Sequence, residues 1–396
     1  MKLSAISLFS HNRPAQLQVI SCLSLLSILL ISQVRAQTVM APRFEVDPFW
    51  PKPLPNHWVI GSAVGVSVDS EDHVWIIHRP GSLAANELGA GTVTASDSCC
   101  SAAPDVLEFD PQGRLVGYWG GPGEGYEWPQ SNHGITVDPD GNVWLGGNGA
   151  NDAQILKFNA DGQFLFQLGR KGGNGGSNDP ENYGQVAKIS IAPDAEEVFI
   201  ADGYGNKRVA VVDLETGEFK RYWGAYGNRP DDTPPPAYDP AAPLAMQFRN
   251  PVHCAEPTND GLLYVCDRLN DRIQVFRNDG TWVSEMQIAP ETLGNGSVWD
   301  IAFSPDPEQT WMYVADGSNE KIWIIERQSM TIVTSFGDGG RQPGQFFGVH
   351  SIATDSMGNI YTTETFEGKR LQKFVFRGLA PVTTMSQGAA WPAVSQ

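Results

Sequence analysis

From about Val64 to Phe374 the chain is a succession of short apolar runs, rich in β-branched and aromatic residues and cut by polar turns. Runs of that kind read as strands, and no stretch carries helical periodicity of any length. The runs fall into six repeats. Their first two strands read VGVSVDSEDHVWII from Val64, HGITVDPDGNVWLG from His133 and KISIAPDAEEVFIAD from Lys188. They continue as HCAEPTNDGLLYVCD from His253, WDIAFSPDPEQTWMYVAD from Trp299 and HSIATDSMGNIYTTE from His350. Turns such as Asp138–Gly141 and Asn159–Gly162 separate the strands, and two outer strands follow in each repeat. Four antiparallel strands repeated six times predict an all-β fold, a six-bladed β-propeller spanning 37–378 with a C-terminal tail over 379–396. The sixth repeat supplies only three clear strands before Arg377 and Gly378. Its fourth is expected from Arg43–Asp47, which closes the ring and removes an exposed edge.

Strand direction sorts the loops. The start of the innermost strand, the end of the second and the blade-to-blade connections share one face, and the tight turns lie on the other. The long insertions, 80–104, 171–183 and 228–247, all fall on the first face. Long loops gathered on one side of a rigid scaffold mark the working face.

On that face His133, His253 and His350 occupy one repeat phase, in blades 2, 4 and 6, where blades 1, 3 and 5 carry Val64, Ala187 and Trp299. Alternate blades of a six-fold ring are about 120° apart, so the three imidazoles start from three-fold-related positions around the channel. A single histidine is more often an ordinary core residue. Three in one phase, from six in the roughly 360 residues after residue 36, make chance improbable. Three nitrogen ligands with an open fourth position form the donor set of a catalytic zinc, although copper, iron and manganese accept the same residues. Arg79 and Arg268 share a phase just past the second strand in blades 1 and 4, and Tyr204 follows the corresponding position of blade 3. Two guanidinium forks beside a cation fit a carboxylate substrate, and a phenol beside them fits a proton acceptor.

The N-terminus adds a compartment. Lys2 and Arg13 precede an apolar run from about Val19 to Ile31, ending in Val34, Arg35 and Ala36, so a signal peptide cut near Ala36 is expected and the chain reads as exported, periplasmic or secreted, without a membrane anchor. Removing it leaves 24 basic against 45 acidic residues, a balance that repels nucleic acid. Four cysteines remain, an even number in an exported chain. Aligning blade 4 on Asp260 and Gly261 sets Cys254 opposite Cys266, within disulfide reach. Cys99 and Cys100 are left to each other or free.

These residues resemble a known family. From about Val64 to Phe374 the chain is similar to peptidyl-α-hydroxyglycine α-amidating lyase (peptidylamidoglycolate lyase), a six-bladed propeller of NHL-type repeats. The likeness rests on Asn132-His133-Gly134-Ile135, Val252-His253-Cys254 and Val349-His350-Ser351, with His78-Arg79-Pro80, Asp202-Gly203-Tyr204 and Cys266-Asp267-Arg268. It implies zinc on His133, His253 and His350, Arg79 on the substrate carboxylate, Tyr204 as general base and Arg268 assisting. The implied reaction splits a peptidyl or N-acyl α-hydroxyglycine into the amide and glyoxylate. Two departures stand out. Ser351 replaces an acidic calcium ligand, which argues against a structural Ca2+, and Gly205 replaces a cysteine. The chain lacks a copper monooxygenase module. The rival readings are a propeller lactonase or other hydrolase, which would carry carboxylates on the axis, and a non-catalytic NHL scaffold, which has no need of the three histidines.

Overall fold

The structure, a computed structural model, describes residues 38–89, 99–194 and 196–392. The expected signal peptide lies outside them. Six four-stranded antiparallel sheets follow one another. Blade 1 comprises Ser62–Val68, Val74–Arg79, Val106–Phe109 and Leu115–Trp119. Blade 2 comprises Asn132–Val137, Val143–Gly147, Gln154–Phe158 and Phe164–Gly169, and blade 3 comprises Lys188–Ile191, Glu197–Asp202, Arg208–Asp213 and Phe219–Trp223. Blade 4 is Val252–Pro257, Leu262–Asp267, Arg272–Arg277 and Trp282–Gln287. Blade 5 is Asp300–Phe303, Trp311–Asp316, Lys321–Glu326 and Thr331–Phe336. Blade 6 takes Val349–Thr354, Ile360–Glu364 and Arg370–Pro381 from the C-terminal end and Met40–Asp47 from the N-terminal end. Helical structure among the described residues is three single 3-10 turns, at Pro80–Ser82, Ala225–Gly227 and Arg268–Asn270.

The second strands show why the sheets stack. Val143–Gly147 is buried at every position, because each face of the sheet meets a neighbouring blade. Among the described residues six apolar clusters form, one at each blade-to-blade interface. Phe158 and Trp75 pack between blades 1 and 2, and Phe199 and Phe248 between blades 3 and 4. At the closing interface Trp50 packs on Tyr361 and Phe109, at centroid distances of 4.9 and 5.9 Å. Burying one such aromatic stabilises by about 2–3 kcal/mol relative to leaving it exposed.

The third strand of blade 6 runs past Gly378 to Pro381. The chain then returns: Ser335 N–H donates to the Met385 carbonyl, and Val46 N–H to that of Ala390. Within the expected C-terminal tail, residues 379–390 therefore pack along the outer strands of blades 5 and 6. Unpaired edge groups of Met40–Asp47 and Thr331–Phe336 supply the partners that hold them.

A repeated polar device fixes the working face. The acid ending the second strand takes the arginine opening the third: Arg208 Nε reaches Asp202 at 2.8 Å, Arg272 Nε reaches Asp267 at 2.7 Å and Arg370 Nε reaches Glu364 at 2.6 Å. The same acids accept backbone N–H groups of the preceding connection, from Gly184, Arg249 and Phe347. Asp202, Arg208, Asp267 and Arg272 are fully buried, so losing one partner would strand a charge, at a cost of about 3–5 kcal/mol.

Candidate metal centre

The ladder between the first two strands slips at each of the three histidines. The shift falls between His133 and Ile135 in blade 2, Val252 and Ala255 in blade 4, and Val349 and Ser351 in blade 6. Blades 3 and 5 pair without a shift, while blade 1 shifts around Val64. A bulge bends its strand and re-aims a side chain, here towards the channel. In blade 2 the extra residue is Gly134, at φ 71°, where a Cβ would come within 2.6 Å of the Ala187 carbonyl oxygen. Only glycine fits there.

The three rings form a near-equilateral triangle. Their centroids are 5.2 Å apart for His133–His253, 4.8 Å for His133–His350 and 4.9 Å for His253–His350. One nitrogen from each lies within 4.8 Å of the other two. All three are buried, at 1–3% exposure. His133 Nδ1 donates to the Ala187 carbonyl at 2.6 Å, and His253 Nδ1 donates to the Trp299 carbonyl. Each bond reaches the same-phase residue of the next blade and leaves Nε2 as the free acceptor. His350 Nδ1 is buried without a partner. Burial holds all three imidazoles well below their ordinary pKa; Arg79 and Arg268 lower His133 further, Arg268 and His133 lower His253, and the other two histidines lower His350. They are neutral, as metal ligands must be.

Tyr204 sits against this triangle. Its hydroxyl oxygen is 3.1 Å from His133 Nε2 and 3.1 Å from His253 Nε2, and it accepts from Arg268 Nη1 at 3.2 Å. One phenol proton cannot satisfy two lone pairs. The donor set therefore fits a divalent cation: neutral nitrogens converge without enough protons to pair them. Arg268 lies over the Trp299 indole at 4.4 Å, and its Nε is buried without a partner. Arg79 donates from Nε to the Asn132 carbonyl at 2.9 Å and from Nη2 to Asn148 Oδ1 at 2.8 Å. The structure thus brings Tyr204 and Arg268 onto the histidines and anchors Arg79 on the strand that carries His133.

Behind the triangle the channel carries Lys188. Its Nζ is 2.7 Å from Asp300 and 2.9 Å from Glu256. Burial works against the lysine charge, but the two carboxylates outweigh it and keep its pKa above the ordinary value. Asp300 also accepts from Ser351 Oγ at 2.6 Å. Lys188 therefore pairs with both acids, and Asp300 is the carboxylate beside Ser351. Cys254, Glu256 and Asp300 come close enough to share an ion, but Cys254 is bonded to Cys266 and the ammonium is already between the acids. A third close group, Asp69, His73 and Glu108, is a half-buried cluster in which Glu108 pairs with His73 at 2.6 Å. The vicinal Cys99 and Cys100 also lie side by side, their sulfurs within bonding reach of each other.

Trp299 was visible in the sequence as the blade 5 residue of the histidine phase, but nothing there showed that it would hold His253 by its carbonyl and Arg268 by its ring. The carbonyls of Ala187 and Asn132 carry no sequence signal at all. His78, next to Arg79, is structural: its Nδ1 accepts from Gly61 N–H at 3.1 Å and its Nε2 donates to the Pro104 carbonyl at 2.8 Å.

No family model matches the chain. It is 25% identical over 367 residues to peptidyl-alpha-hydroxyglycine alpha-amidating lyase 1 of Drosophila melanogaster, covering 85% of this chain and 60% of that protein. It is 24% identical over 285 residues to NHL repeat-containing protein 3 of Mus musculus, covering 70% of this chain and 65% of that one. The chain thus spans under two thirds of each relative's length. A crystal structure of a protein of unknown function from Bacteroides thetaiotaomicron shares the fold, with TM-score 0.50 and 13% identity over 86% of this chain and 77% of that one. In sequence and architecture the chain resembles the peptidyl-α-hydroxyglycine α-amidating lyases and is, like the fold expected of them, an NHL-type six-bladed propeller.

Proposed function

We propose that this is an exported, zinc-dependent carbon–nitrogen lyase that cleaves R–CO–NH–CH(OH)–COO⁻ into R–CO–NH2 and glyoxylate. The observation that carries the reading is the Tyr204 hydroxyl, held between two metal-competent imidazoles and the Arg268 guanidinium. A zinc ion on His133, His253 and His350 would supply Lewis acidity towards the substrate's hydroxyl oxygen.

The chain's own residues account for the rest. The Tyr204 phenolic oxygen is placed to take the hydroxyl proton. The electrons of that O–H bond become the second C–O bond of glyoxylate, the C–N bond breaks, and the leaving amide nitrogen receives a proton, which Tyr204 is placed to return. Two N–H groups of Arg79 fix its plane on Asn132 and Asn148, and three remain to hold a carboxylate. Arg268, stacked on Trp299, keeps a fixed positive charge beside the phenol oxygen. A compact anionic substrate needs no nucleic-acid or membrane partner. The test is release of glyoxylate from N-acyl-α-hydroxyglycines by zinc-replete protein. Turnover supports the lyase; zinc-loaded protein that turns over none of a panel of acyl groups overturns it.

A further inference from the structure

Phe366 is a large apolar side chain, 49% exposed, on the face where the histidines open. It holds the repeat position of Tyr204. Tyr204 stands two residues after Asp202, and Phe366 two after Glu364, the equivalent arginine-paired acids of blades 3 and 6. Those blades lie opposite each other across the channel, so Phe366 stands on the wall across from Tyr204.

The position is held firmly. Phe366 has φ 49°, a left-handed conformation that a bulky residue keeps only when its surroundings impose it. Ser62 Oγ, from blade 1, donates to its carbonyl at 2.8 Å, and Ser62 pairs in the ladder with Arg79. Thr365 N–H donates to the Gly348 carbonyl at 2.9 Å. A Cβ at Gly348, two residues before His350, would press on the Phe366 ring at 3.1 Å, so the glycine leaves the ring its place. On its other side the ring meets Trp299 edge to face, with centroids 6.2 Å apart. Trp299 in turn lies 5.6 Å from His350 and beneath Arg268. The exposed Phe366 ring thus rests on the buried Trp299, which links it to the metal triangle, between the blades that carry the two arginines.

Exposed aromatics fixed beside a polar centre contribute affinity through ring contacts and apolar burial, with little ordering left to do on binding. We infer that Phe366, backed by the buried Trp299, forms a specificity wall for the acyl portion of the substrate, selecting an aromatic or other bulky apolar group next to the reacting carbinolamide. The inference rests on the lyase reading for the identity of the reacting end, while the wall itself rests on the placement of Phe366.

The experiment compares N-phenylacetyl-α-hydroxyglycine with N-acetyl-α-hydroxyglycine, in zinc-replete wild type, Phe366→Ala and Phe366→Leu. The wild type prefers the phenylacetyl substrate, and in Phe366→Ala the ratio of the two kcat/KM values falls by about ten-fold, mostly through KM, with Phe366→Leu between. Each ratio is internal to one protein, so a loss of folded protein cancels. A ratio unchanged by both substitutions overturns the wall. Calorimetric binding of N-phenylacetylglycine and N-acetylglycine, which lack the α-hydroxyl, reads the same preference without turnover. Preference that is lost in Phe366→Ala, in a protein that cleaves neither substrate, would sink the lyase reading and keep the wall. Cleavage of both with equal binding of the two glycines would do the reverse.

Discussion

The Arg268 guanidinium donates to the Tyr204 hydroxyl at 3.2 Å while lying 4.4 Å over the ring of Trp299. The stack fixes the plane of the fork, so Tyr204 meets an oriented cation on one side and two imidazoles on the other. A phenol in that position acts chiefly where charge develops. Tyr204→Phe keeps the ring and removes the hydroxyl, so kcat should fall by about 10²–10⁴-fold with a smaller change in KM. Steady-state glyoxylate production reads it. A variant with wild-type kcat and a raised KM would assign Tyr204 to binding alone.

Arg79 plays a different part. Its side chain is held by Asn132 and Asn148 before any substrate arrives. A carboxylate it holds is present in ground and transition states alike, so Arg79→Ala should raise KM by more than it lowers kcat. Arg79→Lys should not restore KM, because a lysine cannot bond both anchors and a carboxylate with one planar fork. A kcat collapse at unchanged KM would contradict this assignment.

The Cys254–Cys266 bond clamps the strand of His253 to its neighbour across a separation of 12 residues. Loop-closure entropy alone for such a ring is worth about 3 kcal/mol. The double variant Cys254→Ala/Cys266→Ala should therefore unfold at lower urea by that order. Non-reducing peptide mapping should recover Cys254 with Cys266, and a Cys99–Cys254 peptide would show the register of blade 4 to be wrong.

His78 gives a pH dependence separate from the metal. Its neutral form is required because Nδ1 accepts from Gly61, and burial lowers its pKa from 6.5 to about 4. Between those values the unfolded chain binds a proton that the folded chain does not, so stability rises with pH across the window. Above 6.5 the contribution is fully present; it is lost as pH falls, by about 3 kcal/mol near pH 4. Urea midpoints of metal-free wild type and His78→Gln at pH 7.5 and 4.5 check it. Equal losses in both proteins would remove His78 as the source.

How much was legible in the sequence depended on where each contact lies along the chain. Six repeats with regular turns fix which residues share a phase, and phase alone brings His133, His253 and His350 to one level of the channel. Arg268 and Tyr204 followed from the same register. Lys188 did not: it meets Asp300 from 112 residues away, and its role depends on which inner strands face across the channel. Trp299 and Phe366 likewise act through rings that touch between blades, which no spacing within a repeat reveals. The return of Met385–Ala390 carried no strand pattern, because it is held by backbone groups of its neighbours.

The central claim is one metal centre on three alternate blades, and metal content tests it most directly. Elemental analysis of purified wild type should find about one zinc per chain, since the three neutral imidazoles supply the whole protein donor set. His253→Ala removes a third of that set and should lose most of the metal while keeping its fold by circular dichroism. Full zinc stoichiometry in the folded His253→Ala protein would contradict the site.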